Sequence, residues 1–306
     1  MKFVVMGAGA VGCYFGGLLA KAGHDVTFIG RPDHVAAINS RGLLLETKSF
    51  KAFVPARAAS DVAAIDRPDA VLFCVKSADT EATGRSLATR LGPQTAILSL
   101  QNGVDNAERL AAVIGRAVIP AVVYVGTEMA GPGHVLHHGR GELAIGPSAH
   151  SEALAHTLSA AAIPTSVAPN IAEVLWGKLI INCAYNAISA LTQLPYGRFA
   201  TVPDVRATQL AVLDEVLAVA RADGHALARA DAIDAMDRIA ASMPGQVSST
   251  AQDLARGKPT EIDHLNGFVA RRGAALGVAT PVNQALHALV KLAESAPAGS
   301  PQKASS

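Results

Sequence analysis

The sequence predicts an α/β fold, with an N-terminal doubly wound parallel sheet followed by an all-helical C-terminal domain. Three observations predict it. The first half alternates short apolar runs with amphipathic ones, the pattern of a parallel sheet covered on both faces. A GxGxxG lies between the first apolar run and the first amphipathic one. After Pro169 the apolar spacing is helical, with no convincing strand pattern.

The elements follow in order. Residues 2–6, KFVVM, form a β-branched strand, and 11–22 a helix that Gly23 ends. Residues 25–29 form a second strand and 35–40 a short helix. Strands at 70–75 and 96–100 are separated by a helix at 80–91, and 118–125 is another strand. Residues 134–138 and 142–145 flank Gly139-Arg140-Gly141 and read as a hairpin. A helix at 151–162 and a strand at 165–168 complete this half. Helices are then expected at 171–191, 203–223, 230–241, 248–256, 261–276 and 281–295. Pro281 suits a first helical position with Thr280 as cap. The expected domains are 1–168 and 169–295. The tail 296–306, APAGSPQKASS, has the composition of a disordered segment.

Composition narrows the functional class. Of 306 residues, 50% are hydrophobic and only 17% charged, which excludes a largely disordered chain. Lys and Arg number 26 against 25 for Asp and Glu, so there is no basic field for nucleic acid or membrane. One Trp, four Tyr and eight Phe leave few platforms for stacking bases. Cys13, Cys74 and Cys183 are far apart in apolar stretches, as buried thiols in a reducing compartment would be. No metal-ligand spacing appears, and His134, His137 and His138 read as surface residues of the hairpin. The opening MKFVVMG is too soon interrupted for a signal sequence, and the apolar run 117–126 is too short to span a membrane. A cytoplasmic protein is the expectation.

Gly7-Ala8-Gly9-Ala10-Val11-Gly12 follows a strand and opens a helix, the context in which this motif binds a dinucleotide. Gly7 makes the tight turn, Gly9 lets the backbone approach a pyrophosphate, and Gly12 lets helix pack on strand. The helix N-terminus presents N–H groups to the phosphates. At the tip of the second strand, VTFIGR, Arg31 stands where NAD-binding units carry an acidic residue. A guanidinium pairs with a phosphate and a carboxylate repels one, so Arg31 favours NADP(H) over NAD, with Asp33 close by as a complication. Lys76 and Asn102 follow two further strands. Ligands sit beyond the carboxyl ends of such strands, although each residue alone also fits a solvated strand end or turn.

Lys178, Asn182 and Asn186 recur at i, i+4 and i+8, which puts them on one face of an otherwise apolar helix. Such a stripe requires partners, either neighbouring helices or a ligand. Ser248-Ser249 suits a helix cap, and Glu261 is favourable near a helix start.

This ordered set resembles the ketopantoate reductase (2-dehydropantoate 2-reductase) family. The resemblance covers residues 1–294. It rests on GAGAVG at 7–12, Arg31, Val75-Lys76-Ser77, Gln101-Asn102-Gly103, Trp176-Gly177-Lys178 with Asn182 and Asn186, and Ser248-Ser249 with Thr260-Glu261-Ile262-Asp263. It implies a Rossmann-type NADP-binding domain, a helical substrate domain, and an active site in the cleft between them. It also implies NADPH-dependent reduction of ketopantoate to (R)-pantoate in pantothenate and coenzyme A biosynthesis. By the same resemblance Lys178 is the catalytic lysine and Glu261 a carboxylate that helps organise the site. Asn182, Asn186 and Ser249 bind substrate. Asn102 lies near nicotinamide and substrate, and Lys76 is a cofactor- and substrate-side lysine. The implied partner is a small 2-oxo acid, and an exposed apolar helix face in the second domain would suit a homodimer. Two other readings stand beside this one: a reductase of another branched 2-oxo acid, and a non-catalytic NADP(H)-sensing protein.

Overall fold

The computed structural model describes residues 1–295, and the tail expected to be disordered, 296–306, lies outside the described residues. Internal contacts divide the chain into two compact units, Met1–Val174 and the chain from Leu175 onward.

The first unit runs β1 (Lys2–Met6), α1 (Ala10–Lys21), β2 (Asp25–Ile29), α2 (Pro32–Arg41), β3 (Leu43–Glu46), β4 (Lys51–Val54), β5 (Arg57–Ala59) and β6 (Ala70–Phe73). It continues with α3 (Thr80–Ala88), β7 (Ala96–Ser99), α4 (Asn106–Ile114), β8 (Ile119–Gly131), β9 (His134–Ile145), α5 (Ser151–Ala160) and β10 (Thr165–Val167). The sheet order is β4-β3-β9-β8-β7-β6-β1-β2-β5, with β10 on β9. From β8 to β5 all pairings are parallel. Every residue of β6 and β7 is buried, as strands covered on both faces must be.

Alternation along β1 builds two cores. Phe3 and Val5 join Phe15, Leu19, Phe28 and Leu158 on one face. Val4 and Met6 join Phe73, Leu87, Ile97 and Leu110 on the other. The α/β class and doubly wound sheet are as expected. The antiparallel β8–β9 and β3–β4 pairs, which extend the sheet on one side, go beyond the parallel pattern.

The hairpin is real, but its turn is elsewhere. The chain reverses at Pro132-Gly133, where Gly133 takes φ 63°, and β8 pairs with β9 from Gly131↔His134 to Ala121↔Ile145. Residues 139–141 lie inside β9 where the register shifts, so these glycines serve bulges, with Arg140 at φ 62°. Of the hairpin histidines, His137 is half-buried and stacks on Tyr14 with centroids 4.4 Å apart, and His134 meets Glu46 at 2.8 Å. Cys13 and Cys183 are buried and Cys74 partly so; burial pushes all three thiols up, Cys13 to about 12.

The helix α6 (Ile171–Thr192) runs across the division between the units. The second unit continues with α7 (Tyr196–Phe199), α8 (Pro203–Ala222), α9 (Arg229–Ser242), α10 (Ser249–Ala255), α11 (Asn266–Leu276) and α12 (Pro281–Ser295). By length and composition α6 could cross a membrane, yet most of it is buried as a core helix. Its neighbours bind it through backbone groups. Gln209 and Asn266 donate to the carbonyls of Ala184 and Cys183, and the Tyr185 hydroxyl donates to the Met236 carbonyl. The helix expected at 261–276 is broken: one tight turn, Ile262–His264, precedes α11, and Leu265 between them leaves helical geometry at φ −113°, ψ −106°. Pro281 opens α12 as expected, and Glu215 of α8 accepts the backbone N–H groups of Val282 and Asn283 at 2.8 and 2.9 Å.

Candidate active site

The order β7-β6-β1-β2 sets four strand ends side by side, through Met6↔Ile29, Met6↔Phe73 and Phe73↔Ser99. The residues expected at a dinucleotide, 7–12, Arg31, Lys76 and Asn102, therefore leave the sheet on one edge.

The glycine turn is held from both sides. Gly7 and Ala8 donate their N–H groups to the Ile29 carbonyl at 3.0 Å each, and the Cys74 N–H donates to the Met6 carbonyl at 2.7 Å. Gly7 has φ 108°, and a Cβ there would lie 2.8 Å from the Cys74 carbonyl carbon and the Val75 nitrogen. A Cβ on Gly12 would lie 2.2 Å from the Gly7 oxygen and 2.7 Å from Val5 Cγ1. Both glycines are demanded by packing against backbone. Gly9 differs, since a Cβ there meets nothing within 4 Å. As the N-cap of α1, Gly9 supplies no side-chain cap, and the first turn carries no acidic residue. Open space above Gly9 and an uncapped, uncontested helix N-terminus fit an anionic dinucleotide.

At the β2 tip Arg31 is exposed and occupies the N-cap of α2, with Pro32 first in the helix and Asp33 in its first turn. Asp25, at the far end of β2, is paired with Arg57.

Beyond β6 and β7, Lys76 is exposed and Asn102 half-buried. A buried polar network that sequence reading missed ties their loops together. Gln101 accepts from the Ser99 hydroxyl and donates to the Val75 carbonyl and the Thr80 hydroxyl. Asn106 Nδ2 donates to the Asn102 carbonyl at 2.6 Å and to Ser77 Oγ at 3.0 Å. Its Oδ1 accepts from Thr80 Oγ1 at 3.1 Å and from Arg109 at 3.2 Å. Arg109 makes a two-pronged pair with Glu81 at 2.7 and 2.8 Å, which pushes its guanidinium pKa further up. Asn106 at the start of a helix reads in sequence as an ordinary turn residue, and two of its partners, Thr80 and Ser77, lie 26 and 29 residues away.

In the second unit Lys178, Asn182 and Asn186 lie along α6 at the expected spacing. Lys178 and Asn182 are half-buried and Asn186 is buried. Trp176, one half-turn before Lys178, is buried against His225 and Phe268. Asn186 Oδ1 accepts from the Tyr196 hydroxyl at 3.4 Å, a long contact, and its carbonyl accepts from Ser248 Oγ at 3.2 Å. Ser248 is the helix cap of the serine pair, accepting the Ala251 N–H at 3.0 Å. Ser249, next to it, is exposed. Ser189 fixes this corner: its hydroxyl accepts the Ser248 N–H at 3.2 Å and donates to the Leu194 carbonyl at 3.0 Å.

Glu261 is buried on a separate segment, just before the tight turn. That segment is clamped to α12. Asp263 meets His287 at 2.7 Å and Lys291 at 2.9 Å, and Glu294 accepts the Thr260 N–H at 2.7 Å while pairing with Lys291 at 2.7 Å. Burial opposes ionisation of Asp263 and Glu294, but these hydrogen bonds outweigh it and hold both carboxyls below their ordinary values. Among the described residues no cluster of three His, Cys, Asp or Glu is placed to hold a metal.

Comparison with known proteins bears on the family and the fold. Residues 3–150 match the family described as Ketopantoate reductase PanE/ApbA, and residues 170–294 match its C-terminal part. The 2-dehydropantoate 2-reductase of Pyrococcus horikoshii is 33% identical over 98% of this chain and 100% of its own length. That of Vibrio cholerae is 31% identical, covering 96% and 98%. A solved PanE/ApbA family ketopantoate reductase from Ralstonia eutropha JMP134 is 55% identical, with a TM-score of 0.92 over 96% of this chain and 98% of that one. A D-mandelate dehydrogenase solved with NADH and anilino(oxo)acetate is 23% identical with a TM-score of 0.90 over 96% and 98%, a likeness of fold.

Proposed function

Because the chain belongs to the ketopantoate reductase PanE/ApbA family, we propose that it reduces 2-dehydropantoate (ketopantoate) to (R)-pantoate with NADPH, a cytoplasmic step of pantothenate and coenzyme A biosynthesis. The observation that carries this reading is the pairing of two features. One is a glycine turn whose open helix N-terminus suits a dinucleotide; the other is a half-buried lysine aligned with two amides on one helix face. In this reading 1–168 is the dinucleotide-binding domain and 169–295 the substrate domain.

The dinucleotide, when bound, supplies a hydride to the ketone carbon. Residues 7–12 hold its pyrophosphate through backbone N–H groups, and Arg31 pairs with the additional phosphate that distinguishes NADPH from NADH. Lys76 and Asn102 serve the nicotinamide end.

Negative charge develops on the ketone oxygen. The Lys178 ammonium stabilises that charge and delivers its proton to the oxygen, leaving an alcohol and a neutral amine that water reprotonates. Asn182, Asn186 and Ser249 bind the carboxylate and hydroxyl of the substrate through neutral donors, which orient it without adding negative charge. Glu261 organises the site by accepting hydrogen bonds.

The test is NADPH oxidation by the purified protein against a panel of 2-oxo acids. Fast turnover confined to ketopantoate supports the proposal. Turnover confined to another branched acid overturns the substrate assignment, and dinucleotide binding without turnover of any acid overturns the enzyme.

A further inference from the structure

We infer that Asn106 is a positioning residue for the nicotinamide end of the site, acting through Asn102 and the Lys76-Ser77 turn; the inference rests on the roles proposed for Asn102 and Lys76. Asn106 is almost fully buried, and all of its hydrogen-bonding directions that are described lead to the two loops or to their supports.

The amide orientation is chemically determined. Arg109 carries only donors, so the atom facing it must be Oδ1. The Asn102 carbonyl only accepts, so the atom facing it must be Nδ2. The two ends agree, and the amide has one orientation. Its donors then join the main chain after β7 to the serine after Lys76. Ser77 Oγ also donates to the Asn102 carbonyl at 3.3 Å, closing a three-membered contact. Gln101 also links the two loops, reaching Val75 and Thr80, but its described bonds do not include the Asn102 carbonyl, which Asn106 and Ser77 bind.

Asn106→Asp removes both Nδ2 donors and leaves a carboxylate in their place. It keeps the oxygen that Thr80 and Arg109 bind, and puts an oxygen against the Asn102 carbonyl. Three quantities are measured on the full chain: NADPH affinity by fluorescence titration, kcat and KM for ketopantoate, and thermal unfolding. N106D is expected to weaken NADPH binding about five- to tenfold, as the loss of both Nδ2 bonds lets the Asn102 and Ser77 loops shift. In an N102A background the same change is expected to cost less than about twofold, because the group it positions is gone.

Equal losses in the two backgrounds, or unchanged affinity in N106D, overturn the inference. If N106D shows no cooperative unfolding, Ser77→Ala decides by the same comparison, with an expected loss of about two- to threefold. If N102A alone changes neither affinity nor kcat/KM, the role proposed for Asn102 falls first and the inference falls with it, a result distinguishable from additivity.

Discussion

Gly9→Ala and Gly12→Ala lie three positions apart in one turn, and the structure expects opposite outcomes. Gly9 has φ −87° and ψ −171°, extended backbone that alanine adopts freely. Its new methyl would touch nothing within 4 Å. Folding stability should therefore hold, or rise by about 0.4–1 kcal/mol through a less flexible unfolded chain. The methyl would instead occupy the space where a pyrophosphate approaches the backbone. NADPH affinity should fall at least about tenfold, equivalent to about 1.4 kcal/mol.

Gly12→Ala drives a methyl to 2.2 Å from the Gly7 carbonyl oxygen, which cannot swing aside as a side chain would. Overpacking of this kind costs about 1–3 kcal/mol. At about 2–4 °C per kcal/mol for a unit of this size, melting should drop by about 2–12 °C. Thermal unfolding with and without NADPH reads both effects, since ligand at about a hundredfold excess over Kd adds about 2.7 kcal/mol to the native state. Wild type should gain that increment, G9A should gain no more than about half of it, about 1.4 kcal/mol for a tenfold weaker Kd, and G12A should melt low before any ligand is added. A G9A protein with the wild-type ligand shift and Kd would refute the assignment of this turn to the pyrophosphate.

Three other expectations follow from the site. Lys178→Met should lower kcat by about 10²–10⁴-fold, the usual worth of a positioned proton donor, with NADPH affinity intact; near-normal kcat in stopped-flow single turnovers would remove Lys178 from the chemistry. Arg31→Ala should weaken NADPH binding about tenfold or more while sparing NADH, because only the former carries the phosphate a guanidinium pairs with; equal loss for both dinucleotides, measured by titration, contradicts that pairing. Asp263 and Glu294 have carboxyls held below the ordinary 3.8 and 4.5, so their clamp contributes stability above those values and loses it as pH falls through the lower folded ones. Asp263→Asn should flatten the acid limb of the stability curve, and an acid titration of unfolding identical to wild type would show that the clamp contributes nothing.

The parts of the fold that were legible in sequence are those governed by local rules. Gly7, Gly9 and Gly12 announce a strand-turn-helix by their spacing between an apolar run and an amphipathic one, although only Gly12 is crowded by near neighbours in sequence, Gly7 being crowded by Cys74 and Val75. Lys178, Asn182 and Asn186 announce one helix face because spacing alone puts them there. Where a residue type serves two geometries, sequence could not choose between them. The glycines at 139 and 141 fit a turn or a bulge equally well, and the antiparallel pairing of β8 with β9 decides for the bulge. Strands β3, β4 and β5 have three or four residues each, too few for a period to declare itself even in β3, which is Leu43-Leu44-Leu45-Glu46. In the Ser248-Ser249 pair, the first hydroxyl does the capping and the second is exposed. Asn106 and Ser189 were invisible for a different reason: Ser77 and Thr80 come to the one and Ser248 to the other from distant segments, so only the folded chain reveals what they hold.

The clamp on the Thr260–Asp263 segment bears on how this protein tolerates trimming. Its last anchors, Lys291 and Glu294, sit in the closing turn of α12, while Glu215 grips the opening turn of the same helix. A truncation after Ser295 keeps every one of these bonds. One that removes a further five residues deletes both anchors and strips the Thr260 N–H of its acceptor, next door to buried Glu261. The damage from so small a cut would surface as a misplaced acidic group rather than as a frayed end.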